Sequence, residues 1–239
     1  MAGTRGSHCL HKYLDVNQDN EAPTFLCIMQ LVVFDLDYTI WQPEMYQLDG
    51  PPKLTSIDEF QKQKKKKSLS SSSTSSSSCA TTLSNTIFPD KIITDRHGTI
   101  PITIFDGASY ALSEINRMND NNKEVSSSSS SRIKVGISSR TDEPNWARQI
   151  MQWLTVADGT PLSQCFTDTT LIEISYNDKS KHFESLARKT GIPYTNMAFF
   201  DNEYSNIQSV SRLGVKCYYT PNGMTREDWN NCLLDFGIN

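Results

Sequence analysis

No stretch of this sequence approaches the roughly 18 consecutive apolar residues that a membrane-spanning helix needs. Charge of one sign is missing too: 23 Lys and Arg face 27 Asp and Glu, for a formal net charge of −4. That balance leaves no electrostatic footprint for nucleic acid. The six cysteines, Cys9, Cys27, Cys79, Cys165, Cys217 and Cys232, contain no close pair. A zinc knuckle and a dense disulfide scaffold are thereby excluded. None of them opens a Cys-x5-Arg phosphate cradle, so cysteine-dependent phosphatase chemistry finds no support. The first 30 residues carry acids and lack an uninterrupted apolar core, which argues against a secretory signal. The cytoplasm is the expected compartment.

Apolar residues are also scarce, at 37% of the 239 residues, and the shortage is local. Serines crowd 68–79 and 126–132, and lysines crowd 62–67. Such runs bury little apolar surface and are expected to form flexible insertions, at about 61–80 and 121–131. The lysine run could be a phosphate-backbone or nuclear-import patch, but a solvated insertion is the simpler reading. Residues 1–28 read as a flexible extension, and 29–239 as one domain around a single core.

Short apolar runs at Met29–Phe34, Ile133–Ile137, Met197–Phe200 and Val215–Tyr219 read as strands. A fifth lies within 165–175, interrupted by Asp168–Thr170. Helical spacing falls between them, at Leu112, Ile115 and Met118, and at Trp146, Ile150, Trp153 and Leu154. It recurs at Phe183, Leu186, Ala187 and Thr190, closed by Gly191, and a last helix is expected over Arg226–Phe236. The alternation predicts an α/β fold of three layers around a mostly parallel sheet of about five strands.

In such sheets ligands bind beyond the carboxyl ends of the strands. That filter selects Asp35 and Asp37 after the first strand, Ser139 and Arg140 after the second, and Asp201 and Asn202 after another. Lys179 opens a helix beside them. Like-charged carboxylates at one edge repel each other, and a hard cation such as Mg²⁺ offsets that repulsion. Carboxylates with a metal, a lysine and a hydroxyl suit phosphoryl transfer, with one carboxylate free to act as nucleophile.

Single residues also carry plainer readings. Asp201 is a common turn residue, Ser139 and Thr141 could cap a helix, and Lys179 could be a solvated lysine. Trp41 and Tyr46 either line a substrate entrance or pack their loop. His182 is either structural or part of the site, and Trp146 and Trp153 read as core.

The ordered set resembles the haloacid dehalogenase superfamily, and within it the magnesium-dependent phosphatase-1 group. The resemblance rests on FDLDYTIW (34–41), Pro51-Pro52, Asp95-Arg96-x-Gly98, Ser139-Arg140-Thr141, and Lys179 followed by HFESLARKTGIPY (182–194). FFDNEYSNI (199–207) and LGVKC followed by NGMT complete it. It implies a Mg²⁺-dependent phosphomonoesterase without a folded cap, forming an aspartyl-phosphate on Asp35, with Asp37 as acid and base. Thr39, Ser139, Arg140 and Lys179 would serve the phosphoryl group and substrate, Thr39 by holding the loop. Asp35, Asp37, Asp201 and Asn202 would form the metal site. Asn202 stands where the family usually has a second aspartate, so weaker Mg²⁺ binding is expected. The implied substrate is phosphotyrosine or a phosphoprotein, or a sugar phosphate on a glycated amine, and the implied state is a monomer. A related transferase or phosphonatase, and a catalytically quiet binding domain of the same fold, are the alternatives.

Overall fold

The computed structural model describes residues 28–70, 85–125 and 132–238. The N-terminal extension lies outside these residues except for Ile28.

The expected central sheet is present. It comprises β1 (Leu31–Phe34), β6 (Lys134–Ser139), β7 (Ile172–Ile174), β8 (Met197–Asp201) and β9 (Lys216–Tyr219). They lie in the order β7-β6-β1-β8-β9, and every pairing is parallel. Strand alternation divides the core in two. Val32, Phe34, Val135, Ile137, Ala198 and Phe200 face one apolar cluster. Leu31, Val33, Met197 and Phe199 face the other. Helices α2 (Asp106–Val125), α3 (Pro144–Trp153) and α7 (Arg226–Asp235) cover the first face through Leu112, Ile150 and Trp229. Helices α5 (Lys179–Thr190) and α6 (Tyr204–Ser211) cover the second through Phe183, Leu186 and Val210. A short helix, α4 (Leu162–Cys165), adds Leu162 to the first cluster. The α/β three-layer expectation therefore holds.

Local sequence explains where the helices stop and start. Gly191 adopts φ 69°, and its N–H closes α5 onto the Ala187 carbonyl at 2.8 Å. This left-handed position costs glycine nothing. Thr225 and Asp228 bond reciprocally as a capping box that opens α7.

Between β1 and β6 the chain builds two antiparallel pairs: β2 (Trp41–Gln42) with β5 (Thr103–Ile104), and β3 (Lys53–Ser56) with β4 (Lys91–Thr94). Helix α1 (Ile57–Ser70) follows β3. Residues 61–70, expected as part of a flexible insertion, thus lie in a helix, and 121–125 continue α2. Lysine and glutamine are good helix formers, and once Phe60 docks against the body each further residue adds a hydrogen bond. The remaining parts of both insertions, 71–80 and 126–131, lie outside the described residues. The segment DRHGTIPI (95–102) is an ordered turn in which the Asp95 carboxylate accepts bonds from the N–H groups of His97, Thr99 and Ile100. It forms no cap.

Candidate active site

The edge of the sheet where β1, β6 and β8 end carries a cleft of about 530 Å³. Asp35, Asp37, Ser139, Arg140, Lys179 and Asn202 line it, together with Glu44, Tyr46, Tyr176 and Glu203. No residue of β3, α1 or β4 does so. A larger depression, about 850 Å³, lies at the amino end of β6 and gathers none of the predicted site residues.

Lys179 is the centre of the floor. It occupies the first position of α5, where the helix dipole disfavours a cation, and it is only 1% exposed. Three acceptors compensate. Its ammonium donates to Asp35 Oδ1 and to the Ser138 carbonyl, and pairs with Asp201 Oδ2 at 3.1 Å. Burial opposes the Lys179 charge, but Asp35 and then Asp201 outweigh it and hold the ammonium above its ordinary value. Burial likewise drives the Asp35 carboxyl above the usual carboxylate range, against the pull of Lys179 and with Asp201 adding to the rise. Asp201 is itself fixed by the Glu203 N–H at 2.7 Å and by the Asn206 amide at 3.2 and 3.1 Å.

Asp37 sits in a different setting. The turn after Asp35 closes on the Leu36 carbonyl, which accepts from the N–H groups of Thr39, Ile40 and Trp41. Tyr38 takes φ 55° within it, a conformation costing a non-glycine residue about 1–3 kcal/mol. This turn swings the Trp41 indole back so that Nε1 donates to Asp37 Oδ1 at 2.8 Å. Burial raises the Asp37 pKa, partly opposed by the bonds from Trp41, Thr141 and the Met45 N–H.

Ser139 and Arg140 lie at the cleft as predicted, Ser139 accepting from the Thr141 N–H at 3.3 Å. Thr39, grouped with the phosphate contacts from sequence, is fully buried and does not line the cleft. Its hydroxyl accepts from the Asn202 N–H at 3.1 Å, which ties the β1 turn to the end of β8. Asp201 is also fully buried, behind Lys179. Trp41 answers to neither of its two readings alone, being core and also a donor to Asp37. Glu44, Tyr176 and Asn206 were not singled out from sequence. Asn206 lay within the quoted motif, one helical turn beyond Asp201 and Asn202, and that spacing was the available signal.

The Asp35 and Asp201 carboxylates, both against Lys179, are hard oxygen donors of the kind Mg²⁺ takes together with waters and phosphate, although among the described residues no three His, Cys, Asp or Glu side chains gather around one point for a metal. Three carboxylates against one lysine leave net negative charge for such an ion to offset. These residues fit the metal.

A doubly wound parallel sheet whose central strand ends in this acid pair, with a buried lysine opposite, defines a haloacid dehalogenase-type phosphotransfer fold. The family model described as Acid Phosphatase matches residues 27–238. The chain belongs to that family, and it is an enzyme of the phosphatase kind. It is 38% identical over 207 residues to human magnesium-dependent phosphatase 1, covering 87% of this chain and 86% of the relative. It is 24% identical over 188 residues to a HAD-like hydrolase superfamily protein of Schizosaccharomyces pombe, covering 77% and 81%. A solved haloacid dehalogenase-like family hydrolase from Xanthomonas campestris covers 87% of this chain and 96% of its own, at 12% identity and a TM-score of 0.45. Among the described residues no helix is long and apolar enough to cross a membrane.

Proposed function

We propose that this protein is a Mg²⁺-dependent phosphomonoesterase working through an aspartyl-phosphate on Asp35. Its substrate is a phosphotyrosine or phosphoprotein, or a sugar phosphate on a glycated amine. The observation that carries the reading is the unequal treatment of the two carboxylates. Asp35 is paired with a buried ammonium, whereas Asp37 meets only neutral donors, and burial outweighs their pull and lets it carry a proton.

An Asp35 carboxylate oxygen attacks phosphorus and the ester P–O bond breaks. The departing oxygen takes its proton from the Asp37 carboxyl. Asp37, now a carboxylate, removes a proton from water. The hydroxide attacks phosphorus, the acyl-phosphate P–O bond breaks, and inorganic phosphate leaves with Asp35 restored. Lys179 and the Ser139 hydroxyl hold the phosphoryl oxygens, and Arg140 contacts the substrate beyond them. Asp35, Asp37 and Asp201, with Asn202 beside them, would hold Mg²⁺, which when bound would supply positive charge to offset that of the phosphoryl oxygens. Asn202 contributes no charge of its own, which fits weaker metal binding.

The test is hydrolysis of an aryl phosphate with Mg²⁺ or EDTA by wild type and Asp35→Asn. The expected result is turnover that EDTA abolishes and that falls at least ~10³-fold in the variant. A folded wild type that hydrolyses no phosphoester in a panel of phosphotyrosine peptides and sugar phosphates overturns the reading in favour of a binding domain.

A further inference from the structure

His182 and Ser138 are buried, and they meet beneath the cleft. His182 lies one turn after Lys179 on α5, so both side chains leave the same helical face. Together they grip Ser138 twice. Lys179 donates to the Ser138 carbonyl, and the Ser138 hydroxyl bonds His182 Nδ1 at 2.9 Å. The other ring nitrogen, Nε2, bonds the Ser175 hydroxyl at 2.8 Å. Ser175 follows β7, and its N–H donates to the Ser139 carbonyl at 3.1 Å. One imidazole therefore ties the ends of β6 and β7 to the helix that carries the lysine.

Burial and then the neighbouring Lys179 charge push the His182 pKa down to about 4. The neutral ring has one donor and one acceptor nitrogen, and each has a partner. Apolar packing alone would not require this trio, because a leucine and two alanines fill such space without polar atoms to satisfy.

We infer that His182 is a positioning residue for the phosphoryl site: through Ser138 it fixes where the Lys179 ammonium stands. The ammonium has little tolerance, since it bridges Asp35, Asp201 and the Ser138 carbonyl at once. A misplacement of about 1 Å at such a group can cost ~10²-fold in rate. The inference rests on the phosphatase reading for its kinetic part only.

Two near-isosteric variants separate this role from simple packing. In His182→Asn the side-chain amide stands where Nδ1 was and keeps the Ser138 bond while releasing Ser175. In His182→Gln the amide reaches the Nε2 position and keeps Ser175 while releasing Ser138. His182→Gln leaves the buried Ser138 hydroxyl unpaired and should lower Tm, whereas His182→Asn releases only the half-buried Ser175 hydroxyl, which still accepts from the Asn177 N–H and side-chain amide at 3.4 and 3.1 Å, and should lower Tm less. On an aryl phosphate with Mg²⁺, His182→Asn should stay within about threefold of wild-type kcat, and His182→Gln should fall about 30-fold with KM nearly unchanged. Ser138→Ala should match the Gln variant, and Ser175→Ala the Asn variant. Equal kcat losses in the two His182 variants, or a Ser138→Ala variant that keeps wild-type kcat, would overturn the inference. The ¹⁵Nζ resonance of Lys179 gives a readout free of turnover. It should remain sharp in His182→Asn and broaden in His182→Gln. If wild type hydrolyses nothing, the phosphatase reading fails, and this resonance alone decides whether His182 sets the lysine. Identical spectra in the two variants would refute it.

Discussion

The floor of the cleft and its rim are built on different principles. The floor, Asp35, Ser138, Lys179 and Asp201, is buried and joins three strands to one helix through charge-assisted bonds. The rim, Glu44, Tyr46, Arg140 and Tyr176, comes from connecting segments, with Tyr46 68% and Tyr176 73% exposed. A buried group that loses its partner cannot turn to water, so every floor position is fixed by the others. A rim residue keeps water as an alternative and can change at little cost. On the proposed function, chemistry therefore belongs to the floor and selection to the rim. The acids of the two regions differ as well: burial raises both Glu44 and Asp35, but at Glu44 the charges of Asp37 and Glu203 add to the rise, whereas at Asp35 the Lys179 ammonium opposes it.

The largest expected effect comes from Lys179→Met, which keeps the chain length and removes the charge. Asp35 and Asp201 are then buried together with no cation between them. Activity on an aryl phosphate should fall ~10³-fold or more. Stability measured by urea in EDTA should drop by about 3–5 kcal/mol, the cost of breaking a buried pair. Saturating Mg²⁺ should recover much of that stability but not the rate. A rate loss below tenfold would remove the distinction between floor and rim.

Trp41 stands between the two regions, and Trp41→Phe should have an intermediate effect. The change deletes one hydrogen bond to an ionisable group, worth about 1.5–3 kcal/mol. It also opens a modest cavity. If the bond orients Asp37, kcat should fall ~10-fold or more with KM little changed. Trp229→Phe is the matched control, because Trp229 is equally buried on α7 and its Nε1 has no partner. That variant opens a similar cavity but loses no hydrogen bond, so it should lose less stability and keep its kcat. Equal kcat losses in the two would show that packing, not the indole N–H, sets the Trp41 effect.

Four of the five strands were legible because β1, β6, β8 and β9 each hold an apolar run, and the runs end where the proposed chemistry begins; β7, Ile-Glu-Ile, was not so marked. Asp35, Asp37, Ser139, Lys179 and Asn202 could be chosen by that rule alone, since a parallel sheet brings its carboxyl ends together. What escaped depends on contacts between distant residues. His182 meets a serine 44 positions away, and nothing in the local sequence marks the pair. The burial of Lys179 escaped because a lysine at a helix start is ordinarily solvated, and its three acceptors come from three strands. Trp41 reaches Asp37 only through the left-handed Tyr38, whose φ has no compositional signal. Helix α1 was missed for the opposite reason. Low complexity in 62–70 outweighed the helix propensity of its lysines, and the burial of Phe60 is a tertiary event. Tyr176 follows a strand of three residues, too short for periodicity to register.

The smallest expected effect falls on that same Tyr176. Its ring is mostly exposed at the cleft mouth, so Tyr176→Ala removes no core contact and should leave Tm within about 1 °C. Aromatic pairing is worth about 0.5–1.5 kcal/mol, a factor of roughly 2–10 in binding. On a phosphotyrosine peptide KM should rise by about that factor, with kcat unchanged, because uniform binding is what is lost. On a sugar phosphate, which offers no ring to stack, KM should move less than about twofold. The comparison between the two substrates thus separates the two proposed classes, since only an aromatic ester feels the loss. A fall in kcat on both substrates with Tm unchanged would instead place Tyr176 in the reaction itself, and the boundary between floor and rim would have to be redrawn to include it.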